Sequence, residues 1–197
     1  AIARELSKYD LKITVIEKEN DVATGISKAN SGIIHAGFNE KKGTLKAELN
    51  IKGNQMYDSL AKDLDFNFNR NGALVLGFND DDMYKLNTLK CNGTVLGVKD
   101  LEILSKEELR EIEPNLSTDV VGALYAKTSG IVSPYEVTIA LAENACENGV
   151  EFILNSEVID IENTDPGYTI VLKDGRCVNS TIVINSAGIN SDEINNM

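Results

Sequence analysis

A short β-branched run, Lys12-Ile13-Thr14-Val15-Ile16, closes on an acidic residue, Glu17, and constrains the fold more than any other feature. Runs of this kind form strands buried on both faces, as in parallel sheets covered by helices. A second such run, Thr181-Ile182-Val183-Ile184-Asn185, comes near the other end and leads into Ser186-Ala187-Gly188. Val150 to Leu154 reads as a further strand of the same set. Helical patterns accompany them. Ala1, Ile2, Ala3 and Leu6 line one side of a short helix, and Val137, Leu141, Ala142 and Ala145 line another that ends at Gly149. This alternation at both ends predicts an α/β domain whose sheet holds the strands ending at Glu17 and at Asn185.

The middle of the chain has a different character. A long Gly/Ser/Asn-bearing loop is expected from Lys18 to about Gly43, broken only by Ile33-Ile34. Leu45, Leu49, Met56, Leu60 and Leu64 recur at helical spacing, with Gly53 as the weak point of that helix. Ala73 to Phe78 reads as a strand. Asp80 is expected to cap a helix that Asn92-Gly93 stops. Ser105-Lys106-Glu107-Glu108 and Ser133-Pro134-Tyr135-Glu136 both read as capping boxes, the first helix ending before Pro114. Val120 to Ala126 is a strand. Glu157 to Ile161, Tyr168 to Leu172 and Arg176 to Val178 form a meander, with Asp174-Gly175 as a hairpin turn. The predicted organisation is an outer domain of residues 1–70 and 134–197, interrupted by a mixed α+β insert over 71–133.

Composition removes several classes of function. Hydrophobic residues at 42% and charged residues at 25% supply both a core and a wettable surface, which excludes intrinsic disorder. The net charge of −12 opposes binding to nucleic acid or anionic lipid. Cys91, Cys146 and Cys177 are odd in number and far apart, which argues against a disulfide framework or a zinc site. No metal is expected, and a cytoplasmic location suits the free thiols. No apolar run approaches the roughly 18 residues of a membrane helix.

Glu17 carries the first chemical signal. An acidic residue at the carboxyl end of a strand in a dinucleotide-binding fold accepts hydrogen bonds from ribose hydroxyls, whereas elsewhere it is a solvated strand end. The glycine turn that would hold a pyrophosphate, G-x-G-x-x-G before a helix, does not occur, so the chain reads as beginning beyond it. Thr24, Ser27, Asn30 and Ser31 lie among Gly25, Gly32 and Gly37, and the single histidine, His35, lies with them. Hydroxyls, amides and glycines suit a loop around a phosphate or polyol, and equally an ordinary surface loop. His35 is the candidate catalytic residue, or a histidine packed on its neighbours. Lys46 and Arg70 either neutralise an anion or are solvated charges.

The segments Lys12-Ile13-Thr14-Val15-Ile16-Glu17-Lys18, Asn30-Ser31-Gly32-Ile33-Ile34-His35-Ala36-Gly37 and Gly43-Thr44-Leu45-Lys46-Ala47 carry a resemblance. It resumes at Gly130-Ile131-Val132-Ser133-Pro134 and at Val183-Ile184-Asn185-Ser186-Ala187-Gly188. Together they resemble the FAD-dependent glycerol-3-phosphate and L-2-hydroxyglutarate dehydrogenases, a branch of the D-amino-acid-oxidase-like flavoproteins. The resemblance implies a discontinuous, Rossmann-like FAD-binding domain with an inserted substrate-binding domain. It implies that Glu17 holds the FAD ribose and Lys18 flanks the adenosine. Thr24, Ser27, Asn30 and Ser31, with Gly32, would face the pyrophosphate and ribityl chain, and His35 and Ala36 the isoalloxazine. Val158 would offer backbone contacts to adenine, and Ala187 and Gly188 would close over the ADP half.

The expected activity is hydride transfer to flavin from a small anionic hydroxy compound, glycerol 3-phosphate to dihydroxyacetone phosphate in the first instance. L-2-hydroxyglutarate is the alternative substrate, and a noncatalytic nucleotide-binding module or an NAD enzyme the alternative classes. The electron acceptor is open. Without the glycine turn, this stretch alone is expected neither to hold FAD stably nor to turn over. Its exposed sheet edge beside Lys12–Glu17 is expected to favour self-association.

Overall fold

The computed structural model describes residues 1–197. In chain order the elements begin with α1 (Ile2–Leu6), β1 (Thr14–Ile16), β2 (Ile33–Ile34), α2 (Leu45–Leu64), β3 (Phe68–Asn69) and β4 (Ala73–Gly77). Next come α3 (Asp80–Leu96), β5 (Leu101–Ser105), α4 (Lys106–Ile112), β6 (Gly122–Ala126) and β7 (Gly130–Val132). Then follow α5 (Pro134–Glu147), β8 (Glu151–Ile153), β9 (Val158–Thr164), β10 (Gly167–Leu172), β11 (Cys177–Ser180) and α6 (Ser191–Asn195). They form two compact units, one of Ala1–Ala29 with Thr138–Met197 and one of Asn30–Val137.

In the first unit β1 and β8 pair in parallel, Thr14 opposite Glu151 and Ile16 opposite Ile153. Arg4 of α1 donates through Nε to Asn144 Oδ1 of α5 at 2.9 Å, tying the two helices beside this sheet. The meander is present as the antiparallel sheet β9-β10-β11, with fully buried Leu172 at its centre. Asp174 closes the predicted turn, accepting from the Arg176 N–H at 3.0 Å. The expected strand Thr181–Asn185 is not a strand. The backbone there has no ladder partner, and Ile182 and Ile184 are 72% and 52% exposed. β-branched residues supply strand propensity, but a strand also needs a neighbour for its backbone groups.

The second unit contains two antiparallel three-stranded sheets, β2-β7-β3 and β4-β6-β5. β7 runs between β2 and β3, placing Ile131 opposite both Ile33 and Asn69. That pairing keeps residues 30–70 in the same compact unit as β7, since they supply both of its neighbours. The core lies on β6, where Ala123, Leu124 and Ala126 are wholly buried. Leu86 of α3, Val98 and Leu101 pack against Leu124 and Ala126.

Helix ends fit the sequence unevenly. The Ser105–Glu108 capping box forms, with both reciprocal hydrogen bonds, and α4 stops before Pro114. The second expected box does not form, because the buried Ser133 Oγ has no hydrogen-bond partner. The cap of α3 is Asn79, not Asp80: its side chain accepts from the Asp82 N–H at 3.0 Å. α3 also continues past Asn92-Gly93 to a left-handed cap at Gly97. Gly93 is a point of close approach, since a Cβ there would lie 2.4 Å from Leu101 Cδ1 and 2.7 Å from Phe38 Cβ. Gly93→Ala would gain about 1 kcal/mol of helix propensity. Overpacking costs about 1–3 kcal/mol, so a net loss of up to roughly 2 kcal/mol is expected. Urea unfolding checks it, and a raised midpoint would refute it.

α2 has the predicted length, but its apolar stripe is not its packed face. Leu45, Leu49 and Met56 are 67%, 54% and 56% exposed, while Ala47 and Asn54 are buried. These two residues are seven apart and so share a face two helical turns long.

Candidate functional site

The candidate residues fall into both units. In the first, the Glu17 N–H donates to the Ile153 carbonyl at 2.9 Å, extending the β1–β8 ladder to the acidic residue. Its carboxylate accepts from the Glu19 N–H at 3.0 Å, and its carbonyl accepts from the Ser156 N–H at 2.9 Å. Ser156 is buried and receives Arg176 Nη2 at 2.6 Å. The turn before β9 is thereby fixed beside Glu17, and Val158 opens β9 two residues later. Lys18 is exposed and, as the next residue, lies at the same strand end. Thr24 is half-buried, its hydroxyl bonded to the Asp21 carbonyl at 3.3 Å, and Ser27 is exposed. Ala187 and Gly188 are exposed, and a Cβ at Gly188 would meet nothing within 4 Å. Glu17, Ser156 and Val158 form one cluster; nothing in the hydrogen bonding of Ala187 and Gly188 joins them to it.

In the second unit Asn30 Oδ1 accepts from the Gly32 N–H at 3.0 Å, which shapes the entry to β2. From Ser31 to Ala36 burial alternates strictly: Ser31, Ile33 and His35 are exposed, and Gly32, Ile34 and Ala36 are buried. Alternation places the three exposed side chains on one face of the sheet. Ile131 and Asn69 join that face through their pairing with Ile33 and with each other. Ile33 and Ile131 remain 42% and 46% exposed, leaving an apolar strip bordered by polar groups. A cavity of about 450 Å³ adjoins it, lined by Ser31, Asn67, Asn69, Ile131 and Ser133. The buried, unpartnered Ser133 hydroxyl supplies a hydrogen-bonding group beside this cavity.

Arg70 is neither a solvated charge nor an anion site. Its Nε donates to both Asp58 oxygens at 2.8 and 3.0 Å, and its Nη2 to the Asn54 carbonyl at 2.8 Å. Its Nη1 donates to Asn54 Oδ1 at 3.1 Å and to the Thr128 carbonyl. The guanidinium hydrogen bonds hold the Asp58 carboxyl below its usual range. The guanidinium also lies 5.0 Å from the centre of the Phe68 ring. Lys46 is paired with Glu40 at 3.0 Å.

Asn54, Asn69 and Ile131 escaped the sequence reading. The sequence showed Asn54 only as an asparagine inside a helical stretch, and its burial needed the packed structure; Asn69 and Ile131 needed the strand pairing.

The profile of the DAO family, described as FAD dependent oxidoreductase, matches residues 1–197. The chain belongs to this FAD-dependent oxidoreductase family. Among curated relatives of this oxidoreductase chain, glycerol 3-phosphate dehydrogenase of Caloramator mitchellensis is 54% identical over 197 residues, covering 100% of this chain and 41% of the relative. L-2-hydroxyglutarate dehydrogenase of Escherichia coli K12 is 30% identical over 185 residues, covering 94% of this chain and 43% of the relative. The reduced, FAD-bound L-α-glycerophosphate oxidase of Mycoplasma pneumoniae superposes with a TM-score of 0.88 at 30% identity. That superposition covers 97% of this chain and 51% of the oxidase chain. The chain thus spans about two-fifths of the length of these curated relatives. The α/β fold and the FAD-dependent oxidoreductase class expected from the sequence both stand. No helix is long and apolar enough to cross a membrane.

Proposed function

We propose that this chain supplies FAD-binding residues of an enzyme that oxidises glycerol 3-phosphate to dihydroxyacetone phosphate. The observation that carries the cofactor reading is the exposed face of Ser31, Ile33, His35 and Ile131, apolar at its centre and polar at its border. On this reading the residues that would hold the isoalloxazine are Ile33, His35 and Ile131 on the exposed face, with Ala36 in the buried layer beneath. Ser31, Gly32, Asn30, Ser27 and Thr24 belong to the ribityl and pyrophosphate stretch. Glu17 accepts from the adenosine ribose hydroxyls, Lys18 flanks the base, and Val158 offers its backbone to adenine. Ala187 and Gly188 cover the ADP half, and their small side chains permit backbone approach.

Bound FAD supplies the hydride acceptor for the carbinol C–H. The protein's part is to orient the substrate and to manage its hydroxyl proton, for which the exposed His35 imidazole is the candidate group. The preference for glycerol 3-phosphate rests on the 54% identity to a protein of that name. The family's inserted substrate domain corresponds, on this reading, to residues 71–133.

Anaerobic bleaching of the flavin in the whole enzyme tests the substrate. Glycerol 3-phosphate is expected to reduce it rapidly, and reduction only by L-2-hydroxyglutarate would reassign the enzyme. In the whole enzyme Glu17→Ala is expected to weaken FAD binding by about 1–3 kcal/mol through loss of charge-assisted hydrogen bonds. Flavin titration of the apoprotein measures this, and an unchanged Kd returns Glu17 to a strand-end role.

A further inference from the structure

We propose that Asn54 is a positioning residue that fixes the backbone at His35 and thereby aims the imidazole. The β2 ladder ends at Ile34, so the next carbonyl, that of His35, needs another donor. Asn54 Nδ2 supplies it at 3.0 Å and bonds the Thr128 carbonyl, just before β7, at 2.9 Å. Arg70, immediately after β3, donates to both Asn54 oxygens and to the same Thr128 carbonyl. One side chain of α2 therefore ties together the ends of all three strands in the β2-β7-β3 sheet. Asp58 anchors the guanidinium from one turn further along α2, with Nη2 at 2.6 Å from Oδ2.

This arrangement is more than packing. Asn54 is 7% exposed, and its amide hydrogens and oxygen are all committed to hydrogen bonds. An asparagine buried in a helix gains nothing over leucine in propensity or hydrophobicity, so its contribution lies in those bonds. They act on the backbone behind the sheet, while the His35 imidazole stands on the exposed face. Displacing the carbonyl rotates the adjoining backbone and redirects the imidazole. A misplacement of about 1 Å at a reacting group costs on the order of 100-fold in rate.

The link to turnover rests on the reading that His35 faces the flavin, and two measurements separate the two ideas. The first needs no flavin: His35 is the single histidine of the chain, so its imidazole NMR signals are unambiguous. Asn54→Leu, which conserves volume, is expected to shift or broaden them. Arg70→Lys, which keeps the charge and loses the fork, is expected to do so in part even if the leucine variant fails to fold. The second is turnover of the FAD-loaded enzyme. Asn54→Leu is expected to lower kcat about 10- to 100-fold with little change in KM, and to add nothing to the loss caused by His35→Gln. Unmoved imidazole signals in a folded variant, or losses that add in the double variant, would overturn the proposal. If His35→Gln leaves turnover intact while Asn54→Leu moves the signals, Asn54 still positions His35 and the flavin-facing reading fails.

Discussion

Leu124→Ala is expected to remove about 2–5 kcal/mol of stability, a large part of what a domain possesses. Leu124 is wholly buried and sits on the central strand β6, with Val75 opposite on β4 and Ile103 opposite on β5. Its cluster includes Leu86, Val98, Leu101 and Ala126, drawn from α3, β5 and the segment between them as well as β6. Truncation leaves a cavity that these elements cannot all collapse into, because β6 is hydrogen-bonded on both edges. The transfer and cavity terms therefore add. Denaturant unfolding of the variant measures the loss. A change below about 1 kcal/mol would mean that the site relaxes freely and that β6 is not the centre of this core.

Features decided within a few residues were legible in the sequence, and those decided across the chain were not. Ser105 to Glu108 specify a helix start locally, and Asp174-Gly175 specify a turn; both formed. Asn92-Gly93 carries an equally local stop signal, yet α3 runs through it, and Gly93 serves there as the point where Phe38 and Leu101 approach too closely for a Cβ. Thr181 to Asn185 has the residues of a buried strand and no ladder partner. Conversely, β2 and β3 are two residues each, and they become strands only because β7 runs between them. The alternation from Ser31 to Ala36 is not visible in the sequence, where Ile33 and Ile34 stand side by side among glycine and serine as in a loop; it arises only because β7 supplies the ladder. Arg70 and Lys46 looked like free cations because their partners are 12 and 6 residues away and no period announces them. The candidate site was thus readable as a list of residue types, while the surface they share depended on long-range pairing.

That dependence is concentrated at Gly32. Its carbonyl accepts from the Val132 N–H at 2.9 Å, and a Cβ built on it would lie 2.2 Å from the Val132 oxygen. Its φ of +65° adds a conformation that alanine adopts at a cost. Gly32→Ala must therefore strain the backbone and push β2 from β7, an expected destabilisation of about 2–4 kcal/mol. Separating the strands also splits Ile33 from Ile131, the apolar pair proposed to lie against the isoalloxazine. Flavin affinity of the whole enzyme is accordingly expected to fall by an order of magnitude or more, roughly the 1.4 kcal/mol that a tenfold change represents. Gly25→Ala is the matched control, since a Cβ there meets nothing within 4 Å and φ is not positive. Unfolding curves and flavin titrations of both variants decide the matter. Destabilisation with unchanged flavin affinity would keep the β2–β7 contact as a structural one and remove the flavin from this face. Equal behaviour of the two glycine variants would show that the close approach at Val132 is not required at all.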